Sequence, residues 1–411
     1  MVIMIKTVRK QGIKNMDYEI TVQIFSGSFL EETASCKQIE KKLDFVLSRM
    51  AISKVIMGWS PYPYLYENTA SYLAKKNIDF YLWFPVFSEN SGLTELGPLI
   101  DYKGEHIHSR GEHCNEDFIF CCPNNEQNIE KILEKFEQKY NSIPFTGVFL
   151  DRIRYSSFAN GQGFGYGFRN VFSCFCPHCL EYYKKGNFNI DQLKEALSCQ
   201  TSLPLGITGY SGNGAYTFEN SIISDFFSLK AGIIYKSLSR ICRYFREKGL
   251  GIGFDVFAPF LSPFVGQDSV SLSGLCDFIK PMMYRATSAP AGIPFELEAL
   301  LRETNVNTNN RKNYYDLMNI NPDKKPFDLA FTINELQNLN ASSVCPVHAG
   351  IEINRKKNLA DVHPGYIEET INAYTGTGIR GFALSWNILD APEENIEKTA
   401  EIIGKIIAQE N

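Results

Sequence analysis

Three acidic residues of this chain, Asp151, Asp255 and Glu352, lie in or at the end of short apolar runs. An acid in such a place sits at the edge of a core, where burial and neighbouring charges change its pKa. Two such carboxyl groups can act together, because a protonated one donates a proton while an ionised one attacks a carbon atom or activates water. These three acids are therefore the predicted catalytic residues. The structural alternative is an ion pair, of Asp151 with Arg154 or of Asp255 with Lys280.

Cations and aromatic residues accompany the acids at the ends of the same kind of run. All three tryptophans of the chain lie there, and flat aromatic faces suit the apolar faces of sugars. Lys280 lies inside a run, where a buried lysine needs a carboxylate partner. The predicted substrate-binding residues are Trp59, Trp83, Arg154, Tyr155, Lys280, Tyr284, His348 and Trp386. Paired carboxyl groups beside an aromatic floor are what cleavage of a glycosidic bond requires, so the expected partner is a carbohydrate substrate.

The elements that position these residues alternate between short β-rich runs and amphipathic helical segments. The runs are residues 20–25, 54–59, 78–84, 146–151, 250–258, 277–284, 343–353 and 379–386. Eight strands that alternate with helices predict an α/β fold, a (β/α)8 TIM barrel. A doubly wound sheet is disfavoured, because FSGSFL after the first run is not a GxGxxG phosphate loop. In a barrel, residues of one parity point inward and the strand C-termini surround the site, so the three acids should share one mouth.

The chain is expected to form one barrel domain over residues 18–411, preceded by an N-terminal tail over residues 1–17. Two connections, residues 85–125 and 156–221, are too long to be simple loops. Both follow strand C-termini, so we predict insertions after the third and fourth strands on the active-site face. Arg152 has the opposite parity to Asp151 and is predicted to be structural.

Composition excludes some partners. The net charge is −5 and no basic run is present, which argues against nucleic acid as the main partner. No window of the sequence is apolar for long enough to predict a membrane span. The first residues lack the apolar stretch of a signal peptide, which predicts a cytoplasmic protein. The sequence leaves the oligomeric state open.

A cysteine cluster, CFCPHC (174–179), lies within the second insertion. Its spacing predicts a structural zinc site held by Cys174, Cys176 and Cys179, with Cys121 or Cys122 as the candidate fourth ligand. The alternatives are free thiols or a disulfide. No cofactor is predicted to be required for catalysis.

A histidine cluster, HIHSRGEHC, lies in the first insertion and contains His106, His108, His113 and Cys114. An HxH pair is found in metal-dependent hydrolases, but there it sits at a strand end, whereas this one lies in a polar loop. A solvated loop is the favoured interpretation. A metal-dependent hydrolase that uses residues 106–114 is one functional alternative, and a non-catalytic carbohydrate-binding barrel is the other.

Several stretches resemble the barrels of glycoside hydrolases. GVFLDRIRY resembles their fourth strand, and FIFCCPNN (118–125) resembles the entry to the helix before that strand in bacterial members. DVFAPFLSPFVGQD (255–268) and DFIKPMMYR (277–285) resemble the fifth and sixth strands. The PMMY segment is similar to the Met-x-Tyr strand of chitinase-like barrels, and LSW to the tryptophan that closes them. The resemblance covers most of residues 20–400 and implies a bacterial glycosidase.

The resemblance assigns roles to three residues. Asp151 matches the acid of the fourth strand, which is the nucleophile in amylase-like and galactosidase-like barrels. Tyr284 and Trp386 match sugar-contacting positions of the chitinase-like pattern. The DxxDxDxE signature of chitinase-like barrels is absent, because the chain continues from Asp151 into arginine and tyrosine. Asp255 and Glu352 are therefore predicted from their positions alone.

Overall fold

The computed structural model describes residues 18–26, 34–89, 96–107, 109–110, 117–160, 166–199 and 201–410. An eight-stranded parallel sheet is its framework. The strands, in chain order, are Glu19–Phe25, Lys54–Gly58, Asp79–Pro85, Gly147–Asp151, Gly251–Phe257, Phe278–Met282, His348–Glu352 and Gly381–Ser385. The sheet runs without a break from the sixth strand back to the first and on through the eighth to the seventh. A bridge between Ile279 and Val347 joins the sixth and seventh strands, which completes the predicted (β/α)8 TIM barrel.

Helices surround this sheet. The α-helices that the structure describes are α1 (Cys36–Leu47), α2 (Pro63–Ala74), α3 (Glu126–Lys139), α4 (Tyr166–Val171), α5 (Pro177–Lys185), α6 (Ile190–Ser198), α7 (Ser221–Glu247), α8 (Ser269–Leu272), α9 (Ile293–Glu303), α10 (Thr308–Met318), α11 (Leu329–Ser342), α12 (Pro364–Thr375) and α13 (Glu393–Glu410). Helix α1 shows why such segments form. It buries Ile39, Leu43 and Val46, which share one face at helical spacing, and Ser35 with Gln38 forms a capping box at its start.

Aromatic side chains fill the inside of the barrel. The inner cluster consists of Phe25, Ile56, Tyr81, Trp83, Phe149 and Phe278. Phe149 stacks on Phe278 with ring centroids 5.9 Å apart. Glycine makes room for these rings, since a Cβ atom on Gly147 would lie 2.3 Å from the ring of Tyr81. Because Phe149 points inward, Asp151 two residues later points into the barrel mouth.

Two long connections follow the third and fourth strands. After the third strand the chain forms a small antiparallel sheet of Ser88–Glu89, Asp117–Phe120 and Ser109–Arg110. After the fourth strand it forms helices α4 to α6 and a hairpin of Ile207–Tyr210 and Tyr216–Phe218. The predicted N-terminal tail, residues 1–17, lies outside the described residues. Within the described ranges, no helix has both the length and the apolar character that crossing a bilayer requires.

Candidate active site

A cavity of about 610 Å³ opens at the C-terminal ends of the barrel strands. Seven of the residues predicted from sequence line it, namely Trp59, Trp83, Asp151, Arg154, Asp255, Tyr284 and Trp386. Two of the three predicted acids and all three tryptophans therefore share one cavity. The mouth of a TIM barrel is where such a site is expected.

Asp151 ends the fourth strand and is held by a hydrogen bond to each oxygen. The indole Nε1–H of Trp83 donates to Oδ2 at 2.9 Å, and the backbone N–H of Arg152 donates to Oδ1 at 2.5 Å. Arg152 has a φ of 50°, so its backbone lies in the left-handed region. Both carboxyl oxygens therefore act as acceptors, and the two contacts fix the orientation of the group.

Asp255 forms a buried ion pair with Lys280, its register partner on the sixth strand. The Nζ atom of Lys280 lies 3.1 Å from each carboxylate oxygen and donates to the hydroxyl of Tyr284 at 2.5 Å. Burial raises the pKa of Asp255 to about 7, with Lys280 opposing this shift and Asp151 adding to it. Lys280 is itself fully buried and does not line the cavity. It therefore acts on the site through Asp255 and Tyr284.

Phe25 links the three tryptophans into one aromatic wall. Its ring centroid lies 5.6 Å from that of Trp59, 6.2 Å from that of Trp83 and 6.4 Å from that of Trp386. Phe25 was not among the predicted residues, although it ends the first strand and lies two residues after the buried Gln23. The alternation of inward residues along that strand was the signal that could have found it.

Two arginines line the cavity. Arg154 donates to the carbonyl of Tyr155 at 2.9 Å, and its guanidinium lies 4.4 Å from the ring centroid of Phe257. Arg152 lies 4.5 Å above the ring of Trp59 and donates to the hydroxyl of Ser88 at 3.1 Å. The sequence predicted a structural role for Arg152 from its parity, and the structure places its side chain in the cavity wall.

Glu352 ends the seventh strand but does not line the cavity. Its carboxylate accepts hydrogen bonds from the backbone N–H groups of Arg285 at 2.7 Å and Ala286 at 3.1 Å, and from the hydroxyl of Thr287 at 2.6 Å. The hydroxyl of Tyr366 donates to it as well. Burial raises the pKa of Glu352, and these hydrogen bonds oppose the rise. The acid thus fixes the loop after the sixth strand, and its catalytic role stays a prediction.

The structure does not bring His348 to the mouth. It is the first residue of the seventh strand and pairs with Gly381, the first residue of the eighth, so it lies at the opposite end of the barrel. Its ring stacks on Phe278 at 4.8 Å, and its Nε2 lies 3.7 Å from Oε2 of Glu19. The expected strand, 343–353, begins well before the observed one. The inward orientation predicted for His348 was therefore right, but its predicted position along the barrel axis was wrong.

Tyr155 also lies away from the cavity. Its side chain is fully buried in the insertion, with its ring 4.5 Å from Nζ of Lys230. Sequence reasoning missed residues of the cavity wall that come from the connections between the barrel strands and from helices α1 and α13, including Gln38, Lys42, Asn160, Thr287, Lys356, Asn387 and Glu393. Most of them lie outside the strands, so strand parity gave no signal for them.

Four cysteine thiols could hold a metal ion outside this cavity. The Sγ atoms of Cys122, Cys174, Cys176 and Cys179 all lie within 4.8 Å of one another, and all four residues are buried. In the histidine cluster, His106 is exposed to solvent, while His108, His113 and Cys114 lie outside the described residues. No observation on the described residues favours a metal-dependent hydrolase at residues 106–114.

Comparisons with known proteins relate the chain to enzymes through its structure. No family model and no curated protein matches the sequence. The glycoside hydrolase domain of PgaB (BpsB) from Bordetella bronchiseptica is 10% identical, with a TM-score of 0.59 over 94% of this chain and 99% of that one. The α-L-fucosidase isoenzyme 2 from Paenibacillus thiaminolyticus is 10% identical, with a TM-score of 0.52 over 96% of this chain and 50% of that one. This chain has the fold of a glycoside hydrolase barrel. The expected resemblance is thus confirmed for the fold.

Proposed function

We propose that this protein is a glycoside hydrolase that cleaves an oligosaccharide or a glycan at the barrel mouth. The observation that carries the proposal is a cavity lined by two carboxyl groups, Asp151 and Asp255, together with three tryptophans. The fold supports it, because glycoside hydrolases share this fold. One fold hosts many functions, so the proposal rests first on the chemistry of the cavity.

Asp255 is the proposed proton donor. With a pKa of about 7, it is protonated in a large fraction of molecules at neutral pH and can protonate the leaving oxygen of the glycosidic bond. Asp151 is the proposed nucleophile or base, since it lines the cavity together with Asp255 and two hydrogen bonds hold it in place. Glu352 is proposed to position the loop after the sixth strand. Proton transfer and attack both come from carboxyl groups, so the reaction needs no cofactor.

The aromatic wall is the proposed sugar-binding surface. Trp59, Trp83 and Trp386 present indole rings to the cavity, and sugars stack on such rings through their apolar faces. Arg154 and Tyr284 line the same cavity and orient hydroxyl groups of the substrate. Nucleic acid is not a proposed partner.

A screen of glycans and aryl glycosides tests this proposal. The wild-type protein is compared with Asp151→Asn and Asp255→Asn variants, after thermal unfolding has verified that all are folded. We expect hydrolysis of at least one substrate by the wild type. We expect kcat/KM to fall by roughly 10²- to 10⁴-fold in each variant, the usual contribution of a positioned acid or base.

Asp79→Asn is the matched control, because Asp79 begins the third strand at the other end of the barrel. It should leave kcat/KM nearly unchanged. If Asp151→Asn hydrolyses the substrate as fast as the wild type does, the assignment of Asp151 is wrong. If glycans bind and Trp386→Ala abolishes binding, while no substrate is hydrolysed, the protein is a carbohydrate-binding barrel.

A further inference from the structure

We propose that Cys122, Cys174, Cys176 and Cys179 bind one zinc ion, and that this ion fastens the insertion after the fourth strand to the segment before α3. The proposal is independent of hydrolysis, because none of the four cysteines lines the cavity. It selects Cys122 over its neighbour Cys121 as the fourth ligand, a choice that the sequence left open.

The spacing of the sulfur atoms fits a tetrahedral metal ion. The Sγ atoms of Cys122 and Cys179 lie 3.5 Å apart, and those of Cys122 and Cys176 lie 3.4 Å apart. Four thiolates at about 2.3 Å from a zinc ion are separated by roughly 3.8 Å from one another. A disulfide would need about 2.05 Å between two sulfurs. Since each sulfur has three sulfur neighbours within 4.8 Å, a shared central ion explains the arrangement better than pairwise bonds do.

Backbone N–H groups and the start of α5 surround the cluster. The N–H groups of Ile100 and Cys176 both donate to Sγ of Cys174 at 3.4 Å. Cys176 is the N-cap of α5 and Cys179 lies in its first turn, where the helix dipole favours negative charge. Metal binds the deprotonated form of sulfur.

A buried cation lies on the same side of the insertion. Lys230 is fully buried, and its Nζ donates to the carbonyl groups of Val171 at 2.5 Å and Phe264 at 3.3 Å. No carboxylate of the described residues forms a salt bridge with it, although a buried charge normally has a counter-charge. Burial lowers the pKa of Lys230 to about 7, and Cys174 and Cys179 oppose this shift. Four thiolates around a divalent ion carry a net charge of about −2, which supplies the missing counter-charge.

The closed ligand set indicates a structural and not a catalytic ion. All four ligands come from the protein and all are buried, whereas catalytic zinc keeps a position open for water or substrate. The ion would join two segments that are already in contact, since Asn124 Nδ2 donates to the carbonyl of His178 at 2.9 Å. His178 itself is exposed and is not a ligand.

Metal analysis of the purified full-length chain tests the site. We expect about one zinc per chain by mass spectrometry of the metal. Replacement by cobalt(II) should give the intense thiolate-to-metal charge-transfer absorption of a tetrahedral tetrathiolate site. In a Cys176→Ser, Cys179→Ser double variant, zinc content should fall by about tenfold or more, because two of four ligands are lost.

The matched control is Cys276→Ser, because Cys276 and Cys345 form another close thiol pair, with Sγ atoms 3.6 Å apart. This variant should keep its zinc and its cobalt spectrum. A wild-type protein that binds neither zinc nor cobalt overturns the proposal, even if the double variant does not fold. So does a double variant that retains full metal content, or a thiol titration that finds disulfides within the cluster. None of these measurements depends on hydrolysis. The proposed function can therefore be disproved without affecting the proposal of a zinc site.

Discussion

Lys280 is the residue that sets the protonation of the proposed acid. Its ammonium lies 3.1 Å from both oxygens of Asp255, and burial lowers its own pKa while Asp255 and Asp151 raise it. Without this cation, the burial that raises the pKa of Asp255 would lose its main opposing interaction. The lysine therefore keeps the pKa of Asp255 near neutrality, where a general acid is most useful.

Replacing Lys280 with methionine should move the alkaline limit of activity to higher pH. The ammonium stabilises the ionised form of Asp255, so its loss raises the pKa of the acid further above 7 and keeps the proton on at higher pH. We expect the alkaline limb of kcat/KM, near pH 7 in the wild type, to shift upward by roughly one to three pH units. The measurement is the pH dependence of kcat/KM for both proteins on one substrate.

Lys54→Met is the control for this prediction. Lys54 forms an ion pair with Glu19 at the opposite end of the barrel, where the lysine is buried and the glutamate is half-exposed. Its loss should leave the alkaline limb where it is. A limb that moves to lower pH in Lys280→Met, or that moves equally in both variants, contradicts the role given to Lys280.

The loop after the sixth strand depends on one acid of the seventh strand. Glu352 accepts hydrogen bonds from Arg285, Ala286 and Thr287, and Thr287 lines the cavity. The carboxylate thus holds in place a stretch of backbone that forms part of the cavity wall. A catalytic acid would instead have to reach the substrate.

Glu352→Gln separates these two roles. An amide has one acceptor oxygen, and its NH₂ group would face a donor N–H, so the folded state should lose about 1–3 kcal/mol. We expect kcat to fall by less than about tenfold while KM rises, since the wall is disturbed and the acids remain. Urea unfolding and steady-state kinetics measure the two effects.

Glu369→Gln is its control, because Glu369 is half-exposed and pairs with the same arginine, Arg285, at 3.3 Å. The unfolding free energy of this variant should stay within about 1 kcal/mol of the wild type. A loss of 10²-fold or more in kcat with unchanged stability in Glu352→Gln would instead make Glu352 a catalytic residue.

The sequence predicted those features that depend on local period. Gly147, Phe149 and Asp151 alternate inward because strand side chains alternate, and the observed inner core confirms that parity for Phe149. The position of a residue along the barrel axis is a different matter. The alternation correctly predicted that His348 points inward. Its position along the barrel axis is set by the pairing of the seventh strand with the eighth, and no local pattern encodes that pairing.

Features that depend on packing between distant segments could not be predicted. Arg152 lies one residue past the strand end and has a positive φ, so the alternation of side chains along a strand no longer applies to it. Tyr155 follows a few positions later, and the packing of the insertion around Lys230 turns it away from the cavity. Cys121 and Cys122 are adjacent in sequence, so only the folded position of the insertion shows which of them meets the other thiols.

The two ends of the barrel have different roles in the molecule. The mouth carries the proposed chemistry, while the opposite end is closed by Glu19, Lys54 and His348 beneath the ring of Phe278. Burial lowers the pKa of His348 from 6.5 to about 4, with Glu19 opposing the shift. The imidazole is therefore neutral in the folded protein at pH values where it would be charged in the unfolded chain.

Folding stability should consequently fall on acidification between pH 6.5 and 4. In that window the unfolded chain binds a proton at His348 and the folded chain does not, so the free energy of unfolding rises with pH. The full shift corresponds to about 3 kcal/mol at most.

His348→Phe removes the proton-binding group and keeps a ring against Phe278. The dependence of its unfolding free energy on pH, measured in urea at several pH values, should therefore lose the part due to His348. His106→Phe replaces an exposed imidazole and should keep the wild-type slope; equal slopes in all three proteins would show that the closed end of the barrel does not sense pH through His348.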